Sequence, residues 1–223
     1  NGNYFVVSSF WNHGVIVDAG AVTVCSADGT TTGVVTPANS LVGSTANDRL
    51  GNFGSIILGN GNVVVVSADW DNGAVVDAGA VTFIAVNSGI SGAVSAANSL
   101  VGSSTLDQVG NYGVTPLTNG NFVVVSPNWD NGAIADAGAV TFGSGVGGIN
   151  GQVSPANSLV GGSAGDQVGL QGVTALANGN YVVTSTQGNS VASNDVGAVS
   201  FGSGSVGASG LVSPANSLVG SSA

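Results

Sequence analysis

Three tryptophans in this chain share one setting. Trp11 is followed by Asn12 and His13, Trp70 by Asp71 and Asn72, and Trp129 by Asp130 and Asn131. An indole face beside groups that donate and accept hydrogen bonds suits a sugar ring, which stacks through its C–H face and offers its hydroxyls. The competing reading, and the preferred one, is that each indole plugs the gap between neighbouring structural units. Metal binding is a second candidate chemistry. Asp71 and Asp77 bracket one loop and Asp130 and Asp136 bracket its counterpart, and Ca²⁺ favours several oxygen ligands assisted by loop carbonyls. Asp69 lies close by, but Phe10 and Asn128 replace it elsewhere, so a shared site rests on the other two acids. Against calcium stands a turn-capping role, in which Asp18, Asp77 and Asp136 accept backbone amides two residues on.

Catalysis finds less to work with. His13 is the one imidazole, and it could be drawn with Asp18 and Ser8 as a triad, but nothing in the spacing requires it. Its counterparts in later copies are Asn72, Asn131 and Ser190, so a solvent-facing loop histidine and a non-enzymatic chain are expected. "GSGVGG" at Gly143 and "GSGSVG" at Gly202 fit the dinucleotide pattern G-x-G-x-x-G, yet no helix follows to hold a pyrophosphate. They read as turn glycines.

Composition narrows the partners. Of 223 residues 38 are Gly, 43% are hydrophobic and only 5% charged, and the formal charge is −10. Arg49 is the only Lys or Arg. Nucleic acid and anionic membrane surfaces are excluded as expected partners, because both are held by cationic side chains. Richness in Val, Ile and Leu separates the chain from disordered glycine-rich sequences. No apolar run reaches the length of a membrane span. Asn1 is not an initiator Met, which suggests a processed form or a segment of something longer. Cys25 has no partner for an intrachain disulfide and reads as a small packed hydrophobe.

The elements that carry these residues repeat. "NGN" recurs at Asn1, Asn60, Asn119 and Asn178, 59 residues apart. At the same period come "DAG" at Asp18, Asp77 and Asp136, with "DVG" at Asp195, and "ANSLVG" at Ala38, Ala97, Ala156 and Ala215. The expected units are 1–59, 60–118, 119–177 and 178–223. Each period reads as four short strands, as in "YGVTPLT", "NFVVVSP", "GAVTFGSG" and "NSLVGG". Asn-Gly between two apolar runs signals a hairpin whose turn residues both tolerate positive φ. "VVVV" at Val63 and "FVVV" at Phe122 do not alternate with polar residues, so these strands are buried on both faces. The fold class is all-β, with tandem four-stranded antiparallel blades of 59 residues, β-propeller-like; a β-solenoid is the alternative.

Gly-aromatic-Gly (Gly51 to Gly54 and Gly110 to Gly113), a hairpin, a Val-rich strand ending Ser-Pro, an Asx-rich loop and "DAGAVTF" resemble the FG-GAP repeat of integrin-α-like β-propellers. They also resemble such repeats in large bacterial secreted proteins of the filamentous-haemagglutinin type. The family's FG corresponds to Phe53-Gly54 and Tyr112-Gly113, and its GAP to Val125-Ser126-Pro127. The resemblance implies that the Trp-Asx loops lie on a ligand-meeting face. It does not carry over the family's calcium site, because that loop here is only Asn60-Gly61-Asn62 and Asn119-Gly120-Asn121.

The sequence-level expectation is a non-enzymatic, extracellular or cell-surface structural or adhesive repeat protein. It counts 15 strands where four whole blades have 16, and an open sheet edge would accept a strand from another copy or from a continuation of the chain. The alternative is a lectin-like module binding glycans through its Trp-Asx loops.

Overall fold

A computed structural model describes residues 2–187 and 196–221. The fourth-copy positions Gly188, Ser190 and Asp195 lie outside the described residues. The earliest strands are β1 (Tyr4–Ser8), β2 (Ala21–Cys25) and β3 (Leu41–Val42). Next come β4 (Ser55–Ile57), β5 (Val63–Ser67), β6 (Ala80–Ile84), β7 (Gly92–Ala93) and β8 (Ser99–Val101). The pattern recurs as β9 (Val114–Pro116), β10 (Phe122–Ser126), β11 (Ala139–Gly143), β12 (Gly151–Gln152) and β13 (Ser158–Val160). It recurs again as β14 (Val173–Ala175), β15 (Tyr181–Ser185), β16 (Ala198–Gly202), β17 (Gly210–Leu211) and β18 (Ser217–Val219). No helix is present among the described residues.

These strands form four sheets. Within the second, β4, β5, β6 and β8 run antiparallel in chain order, with Val63 opposite Ile84, Ser67 opposite Ala80, and Ala80 opposite Val101. The third repeats this with β9, β10, β11 and β13, the fourth with β14, β15, β16 and β18. The first contains β1, β2 and β3, and no strand pairs with the far side of β1 among the described residues. This is the expected blade.

One connection was not foreseen. The two-residue strands β7, β12 and β17 leave their own blade and pair in parallel with the outer strand of the preceding one, Gly92 opposite Leu41, Gly151 opposite Leu100 and Gly210 opposite Leu159. Each blade thus completes the edge of its predecessor, a solenoid-like feature within a stack of blades.

The Val-rich strands explain the stacking. In β5, Val63 and Val65 join a cluster with Val22, Leu41 and Leu50 of the first blade, while Val64 and Val66 join Phe122, Val124 and Val160 of the third. In β10, Phe122 and Val124 face back and Val123 and Val125 face Tyr181 and Val183 of the fourth. Alternate side chains point to opposite faces, so a strand without polar residues has no solvent face. Each such side chain contributes about 1.5–3 kcal/mol through burial.

The hairpins differ in detail from expectation. Gly61, Gly120 and Gly179 have positive φ (85°, 89° and 86°), but Asn60 and Asn119 do not. The Gly61 amide donates to the Leu58 carbonyl and the Leu58 amide to that of Asn62, which closes a turn with a glycine bulge. The asparagine is kept for its side chain: Asn60 Oδ1 accepts the Asn62 amide, and its Nδ2 reaches the Gly145 carbonyl of the following blade. The glycines read as turn residues at Gly143 and Gly202 are instead strand residues, in β11 and β16. A Cβ there would meet the rings of Phe122 and Tyr181 at 2.2 and 2.0 Å.

Candidate functional site

The Trp-Asx loop joins β1 to β2, β5 to β6 and β10 to β11 and is tied at both ends. Its Asn72 and Val75 exchange backbone hydrogen bonds, and the Gly79 amide donates to the Trp70 carbonyl at 2.9 Å. The Asp77 amide donates to Asp71 Oδ1 at 2.8 Å, and Asp136 does the same to Asp130. In the first copy the Asp18 amide uses Asn12 Oδ1. The capping direction is therefore the reverse of that expected: the residue after each Trp supplies the acceptor, and the acid of Asp-Ala-Gly supplies its amide. Asp18, Asp77 and Asp136 adopt left-handed φ of 52°, 49° and 50°, which presents that amide inward. Gly79 completes the step, because a Cβ on it would lie 2.2 Å from the Val109 nitrogen. The Asp-Ala-Gly carbonyls then accept the next connection, Gln108 on Asp77 and Val109 on Ala78.

Trp70 and Trp129 are 3% and 2% exposed. Trp70 lies in the cluster shared with Val22, Leu41 and Leu50, and Trp129 in that shared with Leu100 and Val109, so each packs against the preceding blade. Their indole N–H groups have no partner among the described residues. No indole face is left there for a sugar ring. Trp11 packs against no other blade among the described residues, is half-buried, and stacks on His13 with ring centroids 5.3 Å apart. Among the described residues the His13 Nδ1 is buried without a partner, and no bond joins its ring to Asp18 or Ser8.

Asn72 Nδ2 donates to the Gly102 carbonyl and Asn131 Nδ2 to that of Gly161, which pins the loop to its own blade's outer connection. Asp71 and Asp130 spend Oδ1 on the loop. Asp77 carries a raised pKa, from burial first and then from the charges of Asp69 and Asp71. Among the described residues no group of three or more His, Cys, Asp or Glu side chains is placed to share a metal ion.

The acids that matter most were not singled out from the sequence. Asp48, Asp107 and Asp166 are buried and 59 residues apart. Asp107 Oδ2 accepts the amides of Ser103 and Ser104 at 2.7 and 2.8 Å, and its Oδ1 accepts the Asp130 amide of the next blade at 2.9 Å. Asp48 holds Ser44, Thr45 and Asp71 in the same way. Burial raises the pKa of both carboxyls, and the amides only partly offset it. A relay results: buried acid, Trp-Asx amide, Asx carboxylate, Asp-Ala-Gly amide. The legible signal was an acid at constant phase in "NDRL", "LDQV" and "GDQV".

Four segments, 1–52, 57–111, 116–170 and 175–223, match a repeat of unknown function (DUF5650). The chain belongs to the DUF5650 repeat family. Its second, third and fourth DUF5650 matches begin 59 residues apart, the period of the blades, and the Trp-Asx loop with its buried acid falls inside the repeat. What the match shows is a tandem repeat of unknown function, coarser than the FG-GAP resemblance. No curated protein matches the chain.

Proposed function

We propose that this chain is a non-enzymatic structural module that works outside the cell, built to stack end to end with units like itself. One observation carries the reading. The same interface recurs three times inside the chain, and the residues that build it are left bare on both end sheets. Leu218 is 81% exposed where its counterpart Leu159 is 1% exposed. Val199 and Phe201 on the last sheet, and Tyr4 and Val6 on the first, are exposed too. Apolar surface of this kind marks an interaction site. The side chains of Asn12, Asp71, Asn72, Asp130 and Asn131 spend hydrogen bonds on the fold itself, which supports a non-catalytic role. The near absence of Lys and Arg, leaving trypsin-like proteases little to cut, supports an extracellular setting. The up-and-down order of the blades supports kinship in design with FG-GAP propellers of large secreted proteins. The glycan-binding alternative gains no support from indoles buried between blades.

Light scattering with negative-stain imaging over a concentration series tests the reading. Linear oligomers or filaments with a constant axial repeat are expected. A monodisperse monomer at every concentration would overturn it.

A further inference from the structure

The end-to-end reading leaves open what joins one copy to the next, and the inference here rests on that reading. The three internal joints are built alike, and two of them also carry an indole. A parallel edge strand is handed back, with the Val94 amide donating to the Val42 carbonyl, Val153 to Val101 and Val212 to Val160 at 3.0 to 3.2 Å. A companion bond runs from Gly92 to Pro37, from Gly151 to Ala96 and from Gly210 to Pro155. An indole, Trp70 or Trp129, packs back against the preceding sheet. Finally, hairpin asparagines clamp the next blade, Asn60 and Asn62 on the Gly145 carbonyl and Asn119 and Asn121 on that of Gly204.

Among the described residues, both halves of a fourth joint are present without a partner. On the first blade, Gly33, Val34 and Val35 hold the place of the handed-back strand, and the amides of Gly33 and Val35 have no partner among the described residues. The segment is already shaped for the role. Gly33 has a φ of 115°, beside 93°, 95° and 92° at Gly92, Gly151 and Gly210. Asn39 clips it, donating to the Val34 carbonyl and accepting the Thr36 amide, as Asn98 does with Ala93 and Ser95. On the last blade, β18 has no parallel neighbour among the described residues, although β3, β8 and β13 each have one. A cavity of about 360 Å³ opens on that sheet, lined by Thr184, Val196, Val199, Leu218 and Val219 among others. Val199 and Leu218 are the counterparts of Val22 and Leu41, which share a cluster with Trp70. Asn178 and Asn180 hold the clamp positions, and their Nδ2 groups have no partner among the described residues.

We propose that Gly33–Val35 of one copy adds as a parallel edge strand to β18 of a second copy, while Trp11 of the first fills the cavity beside Val199 and Leu218. The register follows from the internal joints: Gly33 faces Leu218 and Val34 faces Val219, with the Val35 amide donating to the Val219 carbonyl. The joint is heterologous, so it propagates in one direction. It is also looser than the internal ones. Thr30 stands where Gly148 and Gly207 lie against Phe83 and Phe142, at distances that leave no room for a Cβ (2.5 and 2.6 Å). Association is accordingly reversible.

Cysteine cross-linking in a Cys25→Ser background tests the register. V34C protein mixed with V219C protein under mild oxidation is expected to form a mixed disulfide dimer at least ten times faster than V146C with V219C, Val146 being an equally exposed loop-tip control. V35P removes the donating amide and W11A the plug; each is expected to weaken association at least tenfold in sedimentation velocity while leaving the monomer's melting temperature unchanged. Oligomers that persist in V35P and W11A, or cross-link without preference for residues 34 and 219, would overturn this joint and leave end-to-end stacking standing. A monomeric parent protein would overturn both.

Discussion

At the scale of single residues, the buried acids decide how firmly one blade holds the next. Asp107 accepts three backbone amides, two from its own connection and one from the following blade. Replacing it by Asn keeps the shape but turns an NH2 group toward amides that need an acceptor. Hydrogen bonds to a charged group contribute about 1.5–3 kcal/mol, so D107N is expected to lower the melting temperature by several degrees at pH 7. The charge itself acts the other way. Burial raises the folded-state pKa of Asp48 and Asp107 above the ordinary carboxylate value of 3.8. The folded chain therefore binds these protons more readily than the unfolded one, and stability falls as pH rises through the folded-state value. The parent protein is expected to gain stability as pH falls from 7 toward about 4, and D107N to show a smaller gain. Thermal melts across that range check both; a parent protein that loses stability over the same descent would contradict the assignment.

At the scale of elements, size is balanced across one strand pair. Phe122 lies opposite Gly143 and Tyr181 opposite Gly202, whereas Val63 lies opposite Ile84 and Tyr4 opposite Cys25. The drift at these positions is compensated in the strand next door. G143A alone forces a Cβ into the Phe122 ring and is expected to cost about 1–3 kcal/mol. G143I combined with F122V, which copies the Val63–Ile84 pair, is expected to recover most of what G143I alone loses, a coupling that a double-mutant cycle in urea would read. This compensation was hidden from sequence reasoning, because register is needed to know which positions face. What was legible was local. The Val runs showed strands buried on both faces, Asn-Gly showed hairpins, and the constant phase of Trp-Asx and Asp-Ala-Gly showed one loop. The reversed capping and the handed-back strands were not, since "SGAV" and "NGQV" carry no apolar pattern and their partners lie about fifty residues away.

At the scale of the molecule, blades meet only their neighbours, so stability is a sum of blades and joints. The inner sheets have two joints and the outer sheets one. Hydrogen exchange is expected to be slowest in β5 and β10, buried on both sides, and faster in β1 and β18. Uniform exchange across all four sheets would mean that the array opens as one unit.

The handed-back strand also sets a clock. Val101 must wait until Gly151 and Gln152 exist before its edge is closed. At ribosomal rates of roughly 5–20 residues per second, those fifty residues take about 3–10 s. During that interval the newest blade carries an unpaired edge while every earlier one is sealed. A chain emerging from a ribosome or a narrow pore would therefore lock behind itself one repeat at a time, and each locked repeat would resist slipping back.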